Sequence, residues 1–416
     1  MSRRRELLAG VKMNLASVHR ERGMSLVEIM IGMVIGMVTV LAIMQVLAAT
    51  EGQRRTTGGG ADSLTSAATA LYLVERQVRM GGHGMSLTPG GVLDVCSAQG
   101  IRYYYQPPSA GSGPASPAVE GTFSVFGPVD IITNPAATIS DASSHVLRIA
   151  YSETTEMGTN GVEFTQSAAS NANYRVQNRS GFRTGDLVLA VEPGVQCTLA
   201  EITGLPASGQ CGAGGGAGQT DVVVHNNGTY SSAARNCQNV AAAWNKPGGL
   251  GVSYTAAARL YNFGTGGFVA TQFAVRNQRL MTCSTLSSTA SDCAAAANWT
   301  PLVDQVVALQ ARYGVDTNDD GQIDTWTLAL CDDSAGACTP SLVERLRVLA
   351  IRLAVVARSP QFERNQVTAT APQWLTDESL DAESVTFNLT HLANWQQYRY
   401  RVMETTIPLR NVIWAR

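Results

Sequence analysis

A carboxylate lies close to the start of a long apolar stretch of the chain. Glu28 is the only charged residue between Met24 and Ala49, in the run MSLVEIMIGMVIGMVTVLAIMQVLAA. A charged side chain costs about 2.5–3.5 kcal/mol at the centre of a bilayer and less near the interface. Pairing with a cation lowers that cost. We therefore expect Glu28 to be paired and to have a function.

Oxygen-bearing side chains alternate in a second segment, residues 316–324. The sequence matches the D-x-N-x-D-G start of an EF-hand-type calcium loop. The expected calcium ligands are four side chains and one backbone carbonyl, which belong to Asp316, Asn318, Asp320, Asp324 and Gln322 respectively. Thr327 replaces the bidentate Glu of the twelfth position, and Asp319 lies outside the ligand set. The alternative is a polar turn that joins a helix at about 301–312 to a strand near Trp326.

All eight cysteines follow the apolar stretch, at Cys96, Cys197, Cys211, Cys237, Cys283, Cys293, Cys331 and Cys338. An even number on the oxidising side of a membrane indicates disulfides, but eight cysteines allow 105 pairings. Short loops favour the pairs Cys197–Cys211, Cys283–Cys293 and Cys331–Cys338, which leaves Cys96–Cys237. Buried free thiols and a metal site are the alternatives, and the sequence contains no C-x-x-C to support the metal.

The apolar run is long enough to cross a membrane, because residues 24–49 reach roughly 39 Å as a helix. The preceding residues 1–23 are basic, which favours a cytoplasmic N-terminus. A cleaved secretory signal is one alternative, although its apolar core would span only about 7–15 residues. A simple signal anchor is another. Met13 is an alternative start that keeps the basic residues Arg20 and Arg22.

The helical pattern continues beyond the apolar run. Gly58-Gly59-Gly60 predicts a weak point or kink, because each glycine costs a helix about 1 kcal/mol relative to alanine. Apolar residues then recur at helical spacing, at Leu64, Ala67, Leu71, Val74 and Val78. The helix should end at Gly81-Gly82. We therefore expect one helix over residues 24–82, with its membrane-spanning part at 24–49.

The remaining residues, 83–416, alternate between short apolar segments and loops rich in Gly, Ser, Pro and Ala. Strands are expected at 145–151, 186–191, 221–225, 268–275 and 343–357, and the last of these segments also fits a helix. The sequence therefore predicts an α+β protein, in which a long N-terminal helix precedes a mostly antiparallel β-sheet head with long loops.

The residues around the start of the apolar run, Arg22-Gly23-Met24-Ser25-Leu26-Val27-Glu28, resemble the class III signal of type IV prepilins. The resemblance implies that residues 1–23 are a leader, which a prepilin peptidase removes by cutting between Gly23 and Met24. The peptidase then methylates the new N-terminus. Glu28 becomes the fifth mature residue, and the free amine of a neighbouring subunit can neutralise it. Met24 departs from the family, in which phenylalanine is commonest at this position.

Two further segments resemble PilW-type minor pilins. Residues 73–82 (LVERQVRMGG) are similar to the end of their long helix, and residues 398–411 (YRYRVMETTIPLRN) are similar to their arginine-rich last strand with its L-R-N ending. The resemblance implies a minor pilin in a priming or tip complex of the type IV pilus, which supports twitching motility, adhesion or DNA uptake. Its partners would be other minor pilins, the major pilin, the prepilin peptidase and the inner membrane. The head would lie in the periplasm and later on the pilus or the cell surface.

The composition argues against other classes of function. The 416 residues carry a formal net charge of −2 and only 15% charged residues, so we expect no direct binding of nucleic acid. No G-x-S-x-G, H-E-x-x-H, P-loop or G-x-G-x-x-G motif occurs, and we expect no enzymatic activity. Two alternatives stay open. One is a minor pseudopilin of type II secretion, and the other is a calcium-dependent surface adhesin.

Overall fold

The computed structural model describes residues 25–107, 118–123, 127–133, 135–137, 139–152, 161–212, 219–284, 293, 295–331, 340–374 and 385–416. The chain divides into two compact units, with the boundary between Thr57 and Gly58. In the first unit the described residues belong almost entirely to one long helix. The second unit contains the rest of that helix and all of the described strands.

The helices are α1 Leu26–Met80, α2 Val92–Gln99, α3 Leu342–Leu346 and α4 Arg410–Ile413. Short 3₁₀ turns lie at Gln210–Gly212, Ala233–Arg235, Ala296–Asn298 and Trp395–Gln397. The strands are β1 Ile101–Tyr105, β2 Val119–Phe123, β3 Val129–Ile132, β4 Val146–Ser152, β5 Val162–Glu163, β6 Tyr174–Arg175, β7 Leu187–Val191, β8 Cys197–Glu201, β9 Val222–Val223, β10 Thr229–Ser232, β11 Gln238–Ala241, β12 Arg259–Asn262, β13 Phe268–Arg276, β14 Arg279–Ser284, β15 Thr300–Asp304, β16 Val306–Val315, β17 Thr325–Thr327, β18 Val348–Arg358, β19 Gln373–Trp374, β20 Val385–Thr386 and β21 Tyr400–Pro408. The α+β layout expected from the sequence is confirmed.

Three sheets form the body of the second unit. They contain six strands (β2-β1-β8-β7-β12-β5), five strands (β15-β14-β13-β4-β3) and four strands (β17-β16-β18-β21). The pairs β10-β11, β19-β20 and β6-β9 are separate two-stranded sheets. Neighbouring strands are antiparallel except for β1 and β8, whose pairing is parallel. The long antiparallel pairings β16-β18 and β18-β21 make β18 a central strand of the four-stranded sheet and place β21 beside it, at the edge.

Within the second unit, helix α1 buries one face. The buried positions are Gly59, Ser63, Ala67, Ala70, Leu71, Val74 and Val78, which recur every three or four residues as an amphipathic helix requires. Of these, Ala70, Leu71, Val74 and Val78 join the largest core cluster together with residues of all three sheets. The backbone stays helical through residues 58–60, so the three glycines do not end the helix. Packing explains this, because a Cβ at Gly59 would lie 3.2 Å from the Cβ of Ser359.

The end of α1 is held by backbone turns and by a distant side chain. Gly82 adopts a φ of +77°, and its N–H donates to the carbonyl of Ala150 at 2.8 Å. The last carbonyls of a helix have no partner within the helix. Asn411 Nδ2 donates to the carbonyl of Gly81 at 3.0 Å and, more weakly, to that of Arg79 at 3.5 Å. The helix therefore ends beside the predicted glycine pair, and α4 contributes to its cap.

One expectation about secondary structure is wrong, and another is confirmed only in part. The segment 301–312 is not a helix, because it forms β15 and most of β16. The segment 343–357 divides into α3, which begins with a capping box between Ser341 and Glu344, and β18. Alternate residues of β18 enter different cores, so nearly all of it is apolar and its sequence lacks the alternation of a half-exposed strand.

The disulfides correct two of the expected cysteine pairs. Cys96 is bonded to Cys197, and Cys211 is bonded to Cys237, so Cys96–Cys237 and Cys197–Cys211 are wrong. Cys283 is bonded to Cys293, the pair that the sequence favours. Cys331 is disulfide-bonded as well, and its expected partner Cys338 lies outside the described residues.

The preference for short loops fails at Cys96 because the sheet brings distant residues together. The parallel pairing of β1 with β8 places Ile101 opposite Cys197, and α2, which carries Cys96, immediately precedes β1. The bond therefore joins residues 101 positions apart.

Peptide mapping under non-reducing conditions tests this connectivity. We expect linked peptides that contain Cys96 with Cys197 and Cys211 with Cys237, because the strand pairing brings each pair together. The Cys283–Cys293 peptide is the internal control, since it is common to both schemes. Recovery of a Cys96–Cys237 peptide from freshly purified protein would contradict the structure.

A buried histidine joins the segment before β4 to β16. The backbone N–H of His145 donates to the carbonyl of Leu309 at 2.8 Å, and His145 Nδ1 accepts from the N–H of Ala311 at 3.1 Å. Burial lowers the pKa of His145 to about 4. Protonation at Nδ1 would also remove the acceptor for Ala311. The folded protein therefore requires a neutral imidazole here.

This pKa predicts a loss of stability in acid. Because the folded-state pKa lies below the ordinary value, the unfolded chain binds the proton first, and stability falls as the pH drops from about 6.5 toward 4. Between pH 7 and pH 4.5, the free energy of unfolding should fall by about 2 kcal/mol less in His145→Gln than in the wild type. Glutamine can accept the bond from Ala311 and does not titrate.

Urea unfolding of the full chain at the two pH values is the measurement. His391→Gln, at an exposed position, is the matched control and should behave as the wild type. Equal acid sensitivity in His145→Gln and in the wild type would show that His145 does not titrate as described.

Candidate functional site

The N-terminal part of α1 is apolar and uncovered. Its most apolar stretch has a mean hydropathy of 2.5, and none of that stretch is buried. In the part of the chain that the structure describes, it is the one helix long and apolar enough to cross a membrane. Every residue from Ser25 to Gly58 is exposed. Such a continuous apolar surface requires lipid or other apolar helices around it.

Glu28 lies in the first turn of this helix, where its backbone N–H donates to the carbonyl of Ser25 at 2.9 Å. An acidic side chain at a helix N-terminus is favoured by the helix dipole. The residue is exposed, so a cation on a neighbouring molecule can reach it. The expected cleavage residues Gly23 and Met24 lie outside the described residues.

The acidic loop, residues 316–324, is organised around Asp316. Its carboxylate has no accessible surface and accepts from the N–H of Gly321 at 2.8 Å and of Asp320 at 3.2 Å. Gly321 adopts a φ of +85°, which favours glycine at this turn. The loop therefore turns at Gly321, with the carboxylate of Asp316 at its centre.

Two arginines that the sequence reading did not connect with the loop contact it. Arg416 bridges Asp316 at 2.7 Å and Asp319 at 2.6 Å, and Arg347 contacts Asp319 at 2.8 Å. Burial acts to raise the pKa of Asp316, but the bonds from Arg416 and from backbone N–H groups outweigh it and hold the pKa at about 2. The bond from Arg347 is the main cause that lowers the pKa of Asp319. Asp316 and Asp319 are therefore ionised near neutral pH, and arginines of the same chain partly neutralise them.

The other expected ligands lie close together. Asn318 Nδ2 lies 3.4 Å from Asp320 Oδ2 and 3.5 Å from Asp324 Oδ1. Asp324 Oδ2 accepts from both the N–H and the hydroxyl of Thr317 at 2.7 Å, and these bonds lower its pKa. Across the described ranges, no three His, Cys, Asp or Glu side chains are grouped as metal ligands. The donors present are oxygens, as calcium requires, and calcium stays a prediction.

Two family models match the chain. The model described as Type IV Pilus-assembly protein W matches residues 268–411, about a third of the sequence. The model of the prokaryotic N-terminal methylation motif matches residues 18–44. No curated protein and no solved structure gives a significant match.

The exposed apolar helix, the methylation motif and the β-sheet head define a protein with a prepilin-type signal. The match over β13 to β21 and the start of α4 makes this part of the chain similar to the PilW proteins of type IV pilus assembly. Proteins of this kind are structural components of pilus assembly.

The two segments that carry the PilW resemblance meet in space. Residues 73–82 end α1, and residues 398–411 include β21 and Asn411, whose amide caps that end. The asparagine of the L-R-N sequence thus has a structural role. Leu409, at the head of the same three residues, is buried in the main core. The sequence alone gave no sign of this contact, because 330 positions separate Asn411 from Gly81.

Proposed function

We propose that this chain is a minor pilin that enters a priming or tip complex of the type IV pilus. The observation that carries the proposal is a single helix with two environments. The helix is exposed and apolar from Leu26 onward, and its later part is buried in a β-sheet head and capped by it. A subunit of this kind can be stored in a membrane and then transferred into a bundle of similar helices.

Glu28 gives this transfer a driving force. In a membrane the carboxylate carries an unfavourable energy, and the free amine of a processed neighbour neutralises it when the helices associate. The contact also fixes the axial register of the two helices. We further propose that the N-terminus is cytoplasmic, that the head is periplasmic before assembly, and that twitching motility, adhesion or DNA uptake depends on the assembled fibre.

The W-type match favours a pilus over the alternative, a type II secretion pseudopilin, because the N-terminal signal alone fits both. A deletion strain distinguishes the two. We expect surface pili to be lost and protein secretion to be unaffected. Lost secretion with normal pili would overturn the assignment to the pilus.

Complementation of that strain tests the two N-terminal residues. Gly23→Ala should leave the full-length precursor in the membrane, because the peptidase no longer cuts. Glu28→Ala should be cut normally but should restore at least tenfold fewer pili than the wild type, since the pairing energy of about 2.5 kcal/mol is removed. N-terminal sequencing and immunoblots of sheared pili are the measurements.

Glu51→Ala is the matched control for the glutamate variant. Glu51 is an exposed glutamate on the same helix, paired with Arg55 at 3.2 Å on the surface. It should support normal pilus number, because exposed pairs of this type contribute little. Normal piliation by Glu28→Ala would contradict the role of the carboxylate, and a normal mature size for Gly23→Ala would contradict the cleavage site.

Calcium is proposed as the ligand of the acidic loop. Four carboxylates lie in residues 316–324, and Arg347 and Arg416 supply two positive charges, so a deficit of two charges remains. A divalent cation bound through Asn318, Asp320, Asp324 and the carbonyl of Gln322 would balance it. Arg416 and the cation would both be attracted to Asp316.

Asp320→Asn tests the calcium site without a change of shape. Calcium at about 100 times its dissociation constant should stabilise the wild type by about 2.7 kcal/mol relative to chelator, and the variant should lose most of that increment. Thermal unfolding in calcium and in chelator is the measurement. Asp319→Asn, outside the ligand set, is the control and should keep the increment. Identical melting of the wild type in both buffers would exclude calcium.

A further inference from the structure

An open depression lies on the second unit, between the segment around Asn171 and the segment 225–252. Its cavity volume is about 60 Å³, so a ligand would rest on the depression rather than be enclosed by it. Thr198, Leu199 and Ala200 of β8 also line it. We call it the amide depression, after the side chains of Asn171, Asn226 and Asn227 that line it with Trp244.

The frame of the amide depression is fixed by buried polar contacts. Asn245, which is buried, donates to the carbonyls of Glu201 at 2.7 Å and Asn226 at 3.0 Å, and it accepts from the N–H of Glu201 at 2.8 Å. The buried carboxylate of Glu201 accepts from the N–H groups of Ala243 at 2.7 Å and Trp244 at 3.1 Å. These contacts tie the Glu201 end of β8 to Asn226 and to the segment 243–245.

Further contacts fix the walls. The ring of Trp244 lies 4.6 Å from that of Tyr105, centroid to centroid. The disulfide between Cys211 and Cys237 anchors the hairpin that precedes this loop. Gly249 has a φ of +82° and approaches Ser170 so closely that a Cβ would collide with its carbonyl. A site that is already rigid loses little entropy when a ligand binds.

Three amide side chains on the lining are unused by the fold. Asn171, Asn226 and Asn227 are exposed, and none of their side-chain atoms has a hydrogen bond within the described residues. Each amide offers two donors and an acceptor. Adjacent hydroxyl groups, which both donate and accept, match such a set.

The lining carries almost no available charge. Among its described residues, Lys246 is the one with a permanent charge, and it contacts Glu120 at 2.5 Å. Burial lowers the pKa of His225, which stacks on Tyr174 at 4.0 Å and bonds the carbonyl of Ala172 at 2.8 Å. A charged ligand would find no free counter-ion here, and a neutral polar ligand needs none.

We propose that the amide depression binds a neutral sugar residue. The amides of Asn171, Asn226 and Asn227 would bond its hydroxyls, and Trp244 would cover the apolar face of its ring. The depression lies in residues 170–252, outside both segments that match family models. This activity is separate from assembly of the fibre and would give the head a glycan-binding surface.

The test uses the full chain in phosphatidylcholine nanodiscs, because maltoside and glucoside detergents would compete for the site. The probes are the methyl glycosides of glucose, galactose, mannose and N-acetylglucosamine, and binding is followed by saturation-transfer NMR and calorimetry. We expect saturable binding of at least one probe, with a dissociation constant below about 20 mM. The double variant Asn171→Ala/Asn227→Ala should bind it at least tenfold more weakly.

Gln166→Ala is the matched control, because Gln166 is an exposed amide with no hydrogen bond in the described residues and does not line the depression. It should bind as the wild type. Both variants should retain the wild-type melting temperature and pilus number. The proposal is overturned if no probe binds, if the double variant binds with unchanged affinity, or if only a charged sugar such as N-acetylneuraminic acid binds.

Discussion

The attachment of α1 to the head is the constraint on which the rest of the structure depends. One face of the helix, with Ala67, Ala70, Val74 and Val78 at its centre, is fully buried, and the last three of these residues belong to the main core. Small side chains let the sheets approach closely, and each buried valine contributes roughly 1.5–3 kcal/mol. A subunit that is drawn into a fibre by its N-terminal helix must not lose its head, and this buried face resists that separation.

The segment from Arg410 to Arg416 serves this attachment and the acidic loop together. Asn411 caps the end of α1, Val412 is buried in the main core, and Arg416 bridges Asp316 and Asp319. The loop and the end of the assembly helix are therefore joined through a few residues.

Local features were predictable from the sequence, and long-range contacts were not. The end of α1 at Gly81-Gly82, the strand at 268–275 and the α+β layout follow from periodicity and turn residues. The disulfide of Cys96 with Cys197 depends on the register of two strands, which no spacing along the chain reveals. The segment 301–312 was misread as a helix because a strand buried on both faces loses its alternation.

The candidate sites divide in the same way. The motif at 316–324 identified the acidic loop, since its residues are close in sequence, but Arg347 and Arg416 come from distant elements. The amide depression had no motif at all. Asn171 is distant in sequence from Asn226 and Asn227, and the fold brings the three residues to one depression.

The positions of the matched segments separate two tasks within one chain. The segment 18–44 carries the signal and much of the apolar helix, and the segment 268–411 supplies the four-stranded sheet, the acidic loop and the cap of α1. These two segments carry the features on which the proposed role in fibre assembly rests. The six-stranded sheet lies between them, is joined to α2 by the Cys96–Cys197 bond, and carries the amide depression along β8. The depression therefore lies outside both matched segments of the sequence.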